Sequence, residues 1–315
     1  MERKKSAEAP LVSVIIPCYN HAHFLSEAIE SVREQGYAPV EIVVVDDGST
    51  DNTREVAESY EGVRYVYQEN AGLSAARNTG VQRSTGEFLV FLDADDWLTP
   101  GSIERNLVHL LSNEKLAFVS GAHYKVFKDG TIKEEIQHVK SDHYCNLLRR
   151  NYIGMHSSVL FRRWVFDEFL YDTSLRSCED YDLYLRVARK YPVYHHTEKI
   201  GAYRILSDSM SSNLPRMLAT ALKVLDHQKS SLHSEAEKEA YKAGKAFWTN
   251  YYCTQLHQNL VAKRTRPSKA ALDMLFAYEP ELGREFVSKN RLYLLLKGSN
   301  RMHMLKYLLN NKRQN

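Results

Sequence analysis

Four short runs of β-branched and aromatic residues recur through the first third of the chain: "LVSVII" (Leu11–Ile16), "EIVVVD" (Glu41–Asp46), "VRYVYQ" (Val63–Gln68) and "EFLVFL" (Glu87–Leu92). Between them, "HFLSEAIESVREQ", "DNTREVAESY" and "LSAARNTGVQ" place apolar residues at helical spacing. Strand–helix alternation at this beat predicts βαβ units and a doubly wound, mostly parallel sheet. Each run is followed by a polar cluster: "PCYN", "DDGSTDNT", "ENAGLSAARN" and "DADD". The clusters therefore fall at the carboxyl ends of the strands, where an open parallel sheet forms its ligand crevice.

The crevice has an unusual charge pattern. "FLDADDWLTPG" puts Asp93, Asp95 and Asp96 within four residues, with no adjacent Lys or Arg to relieve them. Asp93 and Asp95, at i and i+2 on extended backbone, point to the same side and suit a hard divalent cation, Mg²⁺ or Mn²⁺, that keeps its other positions for water and diphosphate oxygens. Neither the Walker pattern nor G-x-G-x-x-G is present, so no glycine loop cradles phosphates.

Composition narrows the class. The 315 residues are 43% hydrophobic and 26% charged, as in a globular protein with a core, and a net charge of +3 is too mild for a dedicated nucleic-acid binder. Cys18, Cys145, Cys178 and Cys253 show no C-x-x-C spacing, which fits a reducing cytoplasm rather than a disulfide or zinc framework. "MERKKSAEAP" lacks an apolar stretch behind it, and no run approaches a membrane span, so a cytoplasmic protein is expected.

Further on, "LTPGSIERNLVHLL" reads as a helix with Thr99 as N-cap and Pro100 at the first helical position. "LAFVSGAHY" and "SSVLFRR" read as strands, "KDGT" as a hairpin turn, "EDYDLYLRVARKY" as an amphipathic helix, and "PVYHHT" and "GAYRIL" as two strands. Beyond Ser212, "RMLATALKVLDHQKS", "EAEKEAYKAGKAFWTNYYCTQLHQNLVAK", "SKAALDMLFAYEPELGREFVS" and "RMHMLKYLLNNKR" are all helical in period. The expected division is a polar tail over 1–10, a catalytic α/β domain over 11–211 and a helical region over 212–315.

Five ordered motifs, "VSVIIPCYN", "VVVDDGSTDNT", "NAGLSAARNTG", "GEFLVFLDADD" and "CEDYDLYLR", resemble the family 2 glycosyltransferases of the GT-A fold over roughly residues 11–210. The resemblance implies an inverting transferase that moves a sugar from a nucleotide-diphosphate sugar, a UDP-sugar first, to an acceptor hydroxyl in polysaccharide or glycoconjugate synthesis. It places Pro17 and Tyr19 against the nucleotide base, Asp47 as the carboxylate accepting from the base, and Arg77 near base and phosphates. Asp93 then faces the ribose, Asp95 is the direct metal ligand of the D-x-D element, and Asp180 is the general base. The metal and its phosphates would complete the charge balance of "DADD". Family members commonly carry a His in "YR-x-H-x-x-S-x-S", whereas this chain reads "YRILSDSMS" with Leu206 at that place and Asp208 or Ser209 as substitutes.

Simpler readings exist for each residue. Asp47, Ser49 and Asp51 suit capping of a helix near Asn52, Glu179 and Asp180 suit a helix start, and Arg77 suits an ordinary surface arginine. His21, His23, His195 and His196 read as polar surface or core-edge residues. Asp182, about 200° around the helix from Asp180, reads as a site that tolerates loss of its charge. Two other functions compete. A sugar nucleotidyltransferase wants a basic glycine-rich loop after the first strand, and "PCYNHAHF" has none; a non-catalytic nucleotide or glycan binder is favoured only by the missing His. From Phe286 to Asn315 seven Lys or Arg and no acid interleave with "LYLLL" and "MHMLKYLL", a pattern compatible with an amphipathic helix on an anionic membrane, suited to lipid-linked acceptors, or with a helix packed on its own domain.

Overall fold

The computed structural model describes residues 9–206, 210–263 and 267–289. The first half is the alternation read from sequence: β1 (Val12–Cys18), α1 (Ala22–Arg33), β2 (Val40–Asp46), α2 (Thr53–Glu58), β3 (Val63–Tyr67), α3 (Leu73–Arg83) and β4 (Phe88–Phe91). These strands pair in parallel in the order β3-β2-β1-β4. Every residue of β1 and β4 is buried, which is why their apolar residues run on without alternation. Helix α1 turns Leu25, Ala28, Ile29 and Val32 inward at the spacing of one helical face. Burying each large aliphatic side chain contributes about 1.5–3 kcal/mol. Helix α3 reaches the sheet through Gly80, where an added Cβ would lie 2.2 Å from Ile15, so only glycine allows this approach.

The rest of the sheet departs from simple alternation. β5 (Trp97–Leu98), α4 (Ser102–Ser112), β6 (Phe118–Phe127), β7 (Ile132–Glu135), α5 (His143–Arg149), β8 (Val159–Arg162), α6 (Val165–Glu168), α7 (Glu179–Lys190) and β9 (Tyr194–Ile205) follow. The full order is β3-β2-β1-β4-β8-β6-β9-β5, with β7 on β6. β8 enters antiparallel between β4 and β6, and β6 pairs with β9 in parallel, so β1, β2, β3, β4, β6 and β9 share one direction. The two strands read from "PVYHHT" and "GAYRIL" are one strand, which absorbs the break through register shifts opposite Ser120–His123. Thr99 is not the N-cap of α4. Gly101 takes that place at φ 74°, and the Thr99 hydroxyl donates instead to the carbonyl of Lys199 at 2.7 Å.

The chain divides into two compact units, one running up to Ser212 and including Thr220–Lys245, the other comprising Asn213–Ala219 and the chain from Ala246 onward. The helical C-terminal region consists of α8 (Leu214–Gln228), α9 (Glu235–Lys263), α10 (Lys269–Tyr278) and α11 (Pro280–Lys289). The helical stretch "SKAALDMLFAYEPELGREFVS" forms two helices, because Pro280 has no N–H to continue the first and its ring is favoured at the start of the second. Ser268 caps α10 by accepting from the amide of Ala271. Among the described residues no helix is long and apolar enough to cross a membrane. Nearly all of the basic segment from Phe286 to Asn315, read as either a membrane-surface helix or a helix packed on its own domain, falls outside the described residues, as do Asp208 and Ser209.

Candidate active site

The loops that leave β1, β2 and β3 are tied into one floor. Asn20, at φ 55°, receives a bond at its side-chain oxygen from the Thr50 amide (2.8 Å) and donates its own amide to the Ser49 hydroxyl (3.0 Å). Asp51 accepts from the Ala22 amide at 3.0 Å and from the Thr53 amide at 3.1 Å, so it caps α1 from the neighbouring loop while steadying the entry to α2. Asp47 is 4% exposed and accepts from the amides of Ala71 and Gly72, both at 2.8 Å, and from the Gln68 side chain at 2.6 Å. Asp46 accepts from the Ser49 amide and the Tyr65 hydroxyl. Gly48, at φ 80°, lies so close to Asn70 that a Cβ would meet its amide at 2.8 Å. "DDGS" is therefore first a device that locks two loops together. Pro17 is buried beside Val45, and Tyr19, in the loop that leaves β1, is 50% exposed.

The carboxylates of "DADD" are relieved from a distance. Arg77 is no surface arginine: it is 1% exposed, and donates through one Nη to Asp93 Oδ1 at 2.7 Å and through the other to Glu179 Oε1 at 2.6 Å. Arg204 donates its amide to Asp96 Oδ1 (2.9 Å) and its Nε to the Asp95 carbonyl (3.0 Å), while its guanidinium lies 4.7 Å from the ring centroids of both Phe24 and Trp97. Asp96 is 3% exposed, and burial above all, then Asp95 and Asp93, pushes its carboxyl well above the usual range, which favours its neutral form.

Asp95 lacks the ion pair of Asp93. Among the described residues no cation pairs with its carboxylate, and burial and the Asp93 charge raise its pKa, with the nearby His21 opposing. A half-buried carboxylate with uncompensated charge, beside the free oxygen of Asp93, fits a hard divalent cation by the chemistry of its donors. No group of three or more His, Cys, Asp or Glu placed to hold a metal occurs among the described residues, so such an ion would complete its shell with ligand oxygens and water.

Asp180 lies in the first turn of α7, after Cys178 at φ 57°. Its Oδ1 accepts from the Tyr181 amide at 2.7 Å. Burial first, and the Glu179 charge second, push its carboxyl up to about 7, against the opposing pull of Arg77. The Arg77 bridge thus brings Asp93 and the Glu179–Asp180 pair to one site. Asp182 does not fit the tolerant role expected of it: it is 2% exposed, paired with Arg186 Nε at 2.7 Å and 3.3 Å from His227 Nδ1. It lines a separate cleft of about 670 Å³ with Arg186, Arg189, Lys190 and His227, which Asp180 does not reach.

Glu179, Gln68, Asp46, His21 and Arg204 are the residues that sequence reasoning passed over or gave a purely structural reading. Glu179 adjoins the candidate base, and Arg204 lies in the "YRILS" segment, so motif position was the available signal.

The family model for glycosyl transferase family 2 matches residues 13–170. The putative teichuronic acid biosynthesis glycosyltransferase TuaG of Bacillus subtilis is 30% identical over 211 residues, 65% of this chain and 82% of that protein. Of two longer relatives, 34% and 32% identical, the chain spans only 33% and 29%. Among solved structures, S. aureus TarS 1-349 in complex with UDP-GlcNAc matches with TM-score 0.62 at 17% identity, over 89% of this chain and 85% of that one. The mannosyltransferase PcManGT from Pyrobaculum calidifontis, in complex with GDP-Man and Mn²⁺, matches with TM-score 0.55 at 18% identity, over 94% and 92%. These structural likenesses carry the GT-A fold, and with the family match over 13–170 the chain belongs to glycosyl transferase family 2.

Proposed function

We propose that the chain is an inverting, metal-dependent transferase that moves a hexosyl group from a nucleotide-diphosphate sugar, a UDP-sugar first, to a hydroxyl of a glycan or lipid-linked acceptor at the cytoplasmic side. The observation that supports this is the Arg77 bridge, which joins Asp93, just beyond β4, to Glu179, the neighbour of Asp180 at the start of α7. The acceptor oxygen attacks the anomeric carbon from the face opposite the diphosphate. As that bond forms, the bond from the anomeric carbon to the phosphate oxygen breaks with its electron pair, and the acceptor proton passes to the Asp180 carboxylate. A pKa near 7 suits a base at neutral pH. Asp95 with Asp93 would hold Mn²⁺ or Mg²⁺, which supplies Lewis-acid stabilisation of the leaving diphosphate. Pro17 and Tyr19 take the base, and Asp47 orders the loop against which it lies. The assignment of TuaG to teichuronic acid biosynthesis supports a surface polysaccharide as product, and the UDP-GlcNAc and GDP-Man complexes of the two structural neighbours support a sugar nucleotide as donor. We take residues 11–211 as the catalytic domain.

Asp180→Asn keeps shape while removing the proton acceptor. Transfer should fall by roughly 10²–10⁴-fold with donor affinity retained. Wild-type turnover in this variant would remove the base assignment.

A further inference from the structure

Arg77 and Glu179 carry more geometry than a nucleotide contact or a helix start requires. A buried guanidinium is costly unless its charge is matched, and Arg77 is matched by two carboxylates from distant parts of the chain, Asp93 just beyond β4 and Glu179 at the first position of α7. Its two Nη atoms take one carboxylate each, so the rigid planar fork sets the spacing between them. The face of the fork lies 5.5 Å from the centroid of Tyr171. Tyr171 is itself fixed: its amide donates to the Asn78 side chain and its carbonyl accepts from it, both at 3.0 Å. Its hydroxyl meets His156 Nε2 at 2.6 Å, and His156 Nδ1 meets the hydroxyl of Tyr184, on α7, at 2.5 Å. Helix α7 is therefore held to α3 twice, directly through Glu179 and indirectly through Tyr184.

We propose that Arg77 and Glu179 form a positioning bridge for transfer, in which one guanidinium fork fixes Asp93 of the donor side against the first turn of α7 and so sets where Asp180 stands. The inference rests on Asp180 being the base. Lysine is a point charge that reaches one carboxylate, not two, so Arg77→Lys keeps the charge and loses the spacing. A misplacement of about 1 Å is enough to cost on the order of 10²-fold in rate.

The test measures kcat, the affinity for UDP with Mn²⁺, and a melting curve for Arg77→Lys, Glu179→Ala, their double variant, Glu179→Gln and Asp180→Asn. The bridge predicts that kcat falls about 10- to 100-fold in both single variants, with UDP affinity within about threefold of wild type. The double variant should be no slower than the slower single one, because either change breaks the same unit. Glu179→Gln keeps the acceptor oxygen for Arg77 and should restore most of the rate. Wild-type kcat in Arg77→Lys, multiplying losses in the double variant, or UDP affinity falling in step with kcat would overturn the bridge; the last result would put Arg77 in the donor pocket itself. Wild-type turnover in Asp180→Asn removes the base and the bridge with it, whereas an inactive Asp180→Asn beside fully active bridge variants removes the bridge alone. Should the first two variants melt below the assay temperature, Glu179→Gln decides: the acid limb of kcat must move to lower pH, since after burial the Glu179 charge does most to raise Asp180, and an unmoved limb overturns the proposal.

Discussion

Asp180 titrates where a base working near neutrality needs to, and the direction of its shift has two consequences. Its carboxyl stands at about 7 rather than the ordinary 3.8, through burial first and Glu179 second. Only the ionised form accepts a proton, so kcat should rise with pH through about 7 and level off above it. A profile already flat from about pH 5 upward would reject that role. In the window between 3.8 and about 7 the folded chain holds a proton that the unfolded chain releases, so this group lowers stability as pH rises through it. Asp180→Asn should remove that part of the slope of melting midpoint against pH. Asp93 and Asp95 were legible in the sequence because a strand end and their spacing mark them, whereas Asp180 was legible only through the resemblance of "CEDYDLYLR" to the family's motif. The partners of the site's carboxylates were not: the Arg77 guanidinium reaches Asp93 across 16 residues and the Arg204 backbone amide reaches Asp96 across 108, and no local pattern encodes such a meeting.

Helix α7 shows the same divide at the scale of the element. Its existence and its amphipathic face follow from the 3.6-residue period of "EDYDLYLRVARKY", but the period assigns Asp182 only an angle. Packing assigns it a partner: α8 brings His227 alongside while Arg186, one turn on, takes the other oxygen. Asp182→Asn leaves the Arg186 guanidinium without its counter-charge, but that side chain is 28% exposed and water reaches it. The expected loss is about 2 kcal/mol, which lowers the melting midpoint by several degrees, with UDP affinity unchanged. An unaltered melting curve would show that the pair contributes nothing. The early strands were readable because Val and Ile buried on both faces leave continuous apolar runs. β5 was missed and β9 read as two strands for the opposite reason: the first is two residues long, and the second carries a polar bend, "HHTEK", whose pairing with β6 is set by tertiary contact.

For the whole molecule, the charge balance of the crevice makes a prediction that does not depend on turnover. Arg77 is committed to Asp93, the Arg204 guanidinium is committed to Glu27, and Asp96 takes only the Arg204 amide and favours its neutral form, so the Asp95 carboxylate meets an incoming ligand without an ion-pair partner among the described residues, and burial already disfavours its charge. A diphosphate entering that crevice alone adds negative charge to negative charge. UDP and Mn²⁺ should therefore bind together and stabilise the fold by mass action, by about 2.7 kcal/mol at a hundredfold excess over Kd. That corresponds to a rise of several degrees in melting midpoint, in a chain where each 1 kcal/mol is worth about 2–4 °C. EDTA should abolish the rise, Mg²⁺ or Mn²⁺ should return it, and Asp95→Asn should lose it while melting normally without ligand. Asp47→Asn should instead lower the unliganded midpoint, because its carboxylate holds Gln68, Ala71 and Gly72 in place before any nucleotide arrives. An equal UDP-induced shift in EDTA and in Mn²⁺ would mean that nucleotide binding does not run through a cation, and would end the reading of Asp93 and Asp95 as a metal site.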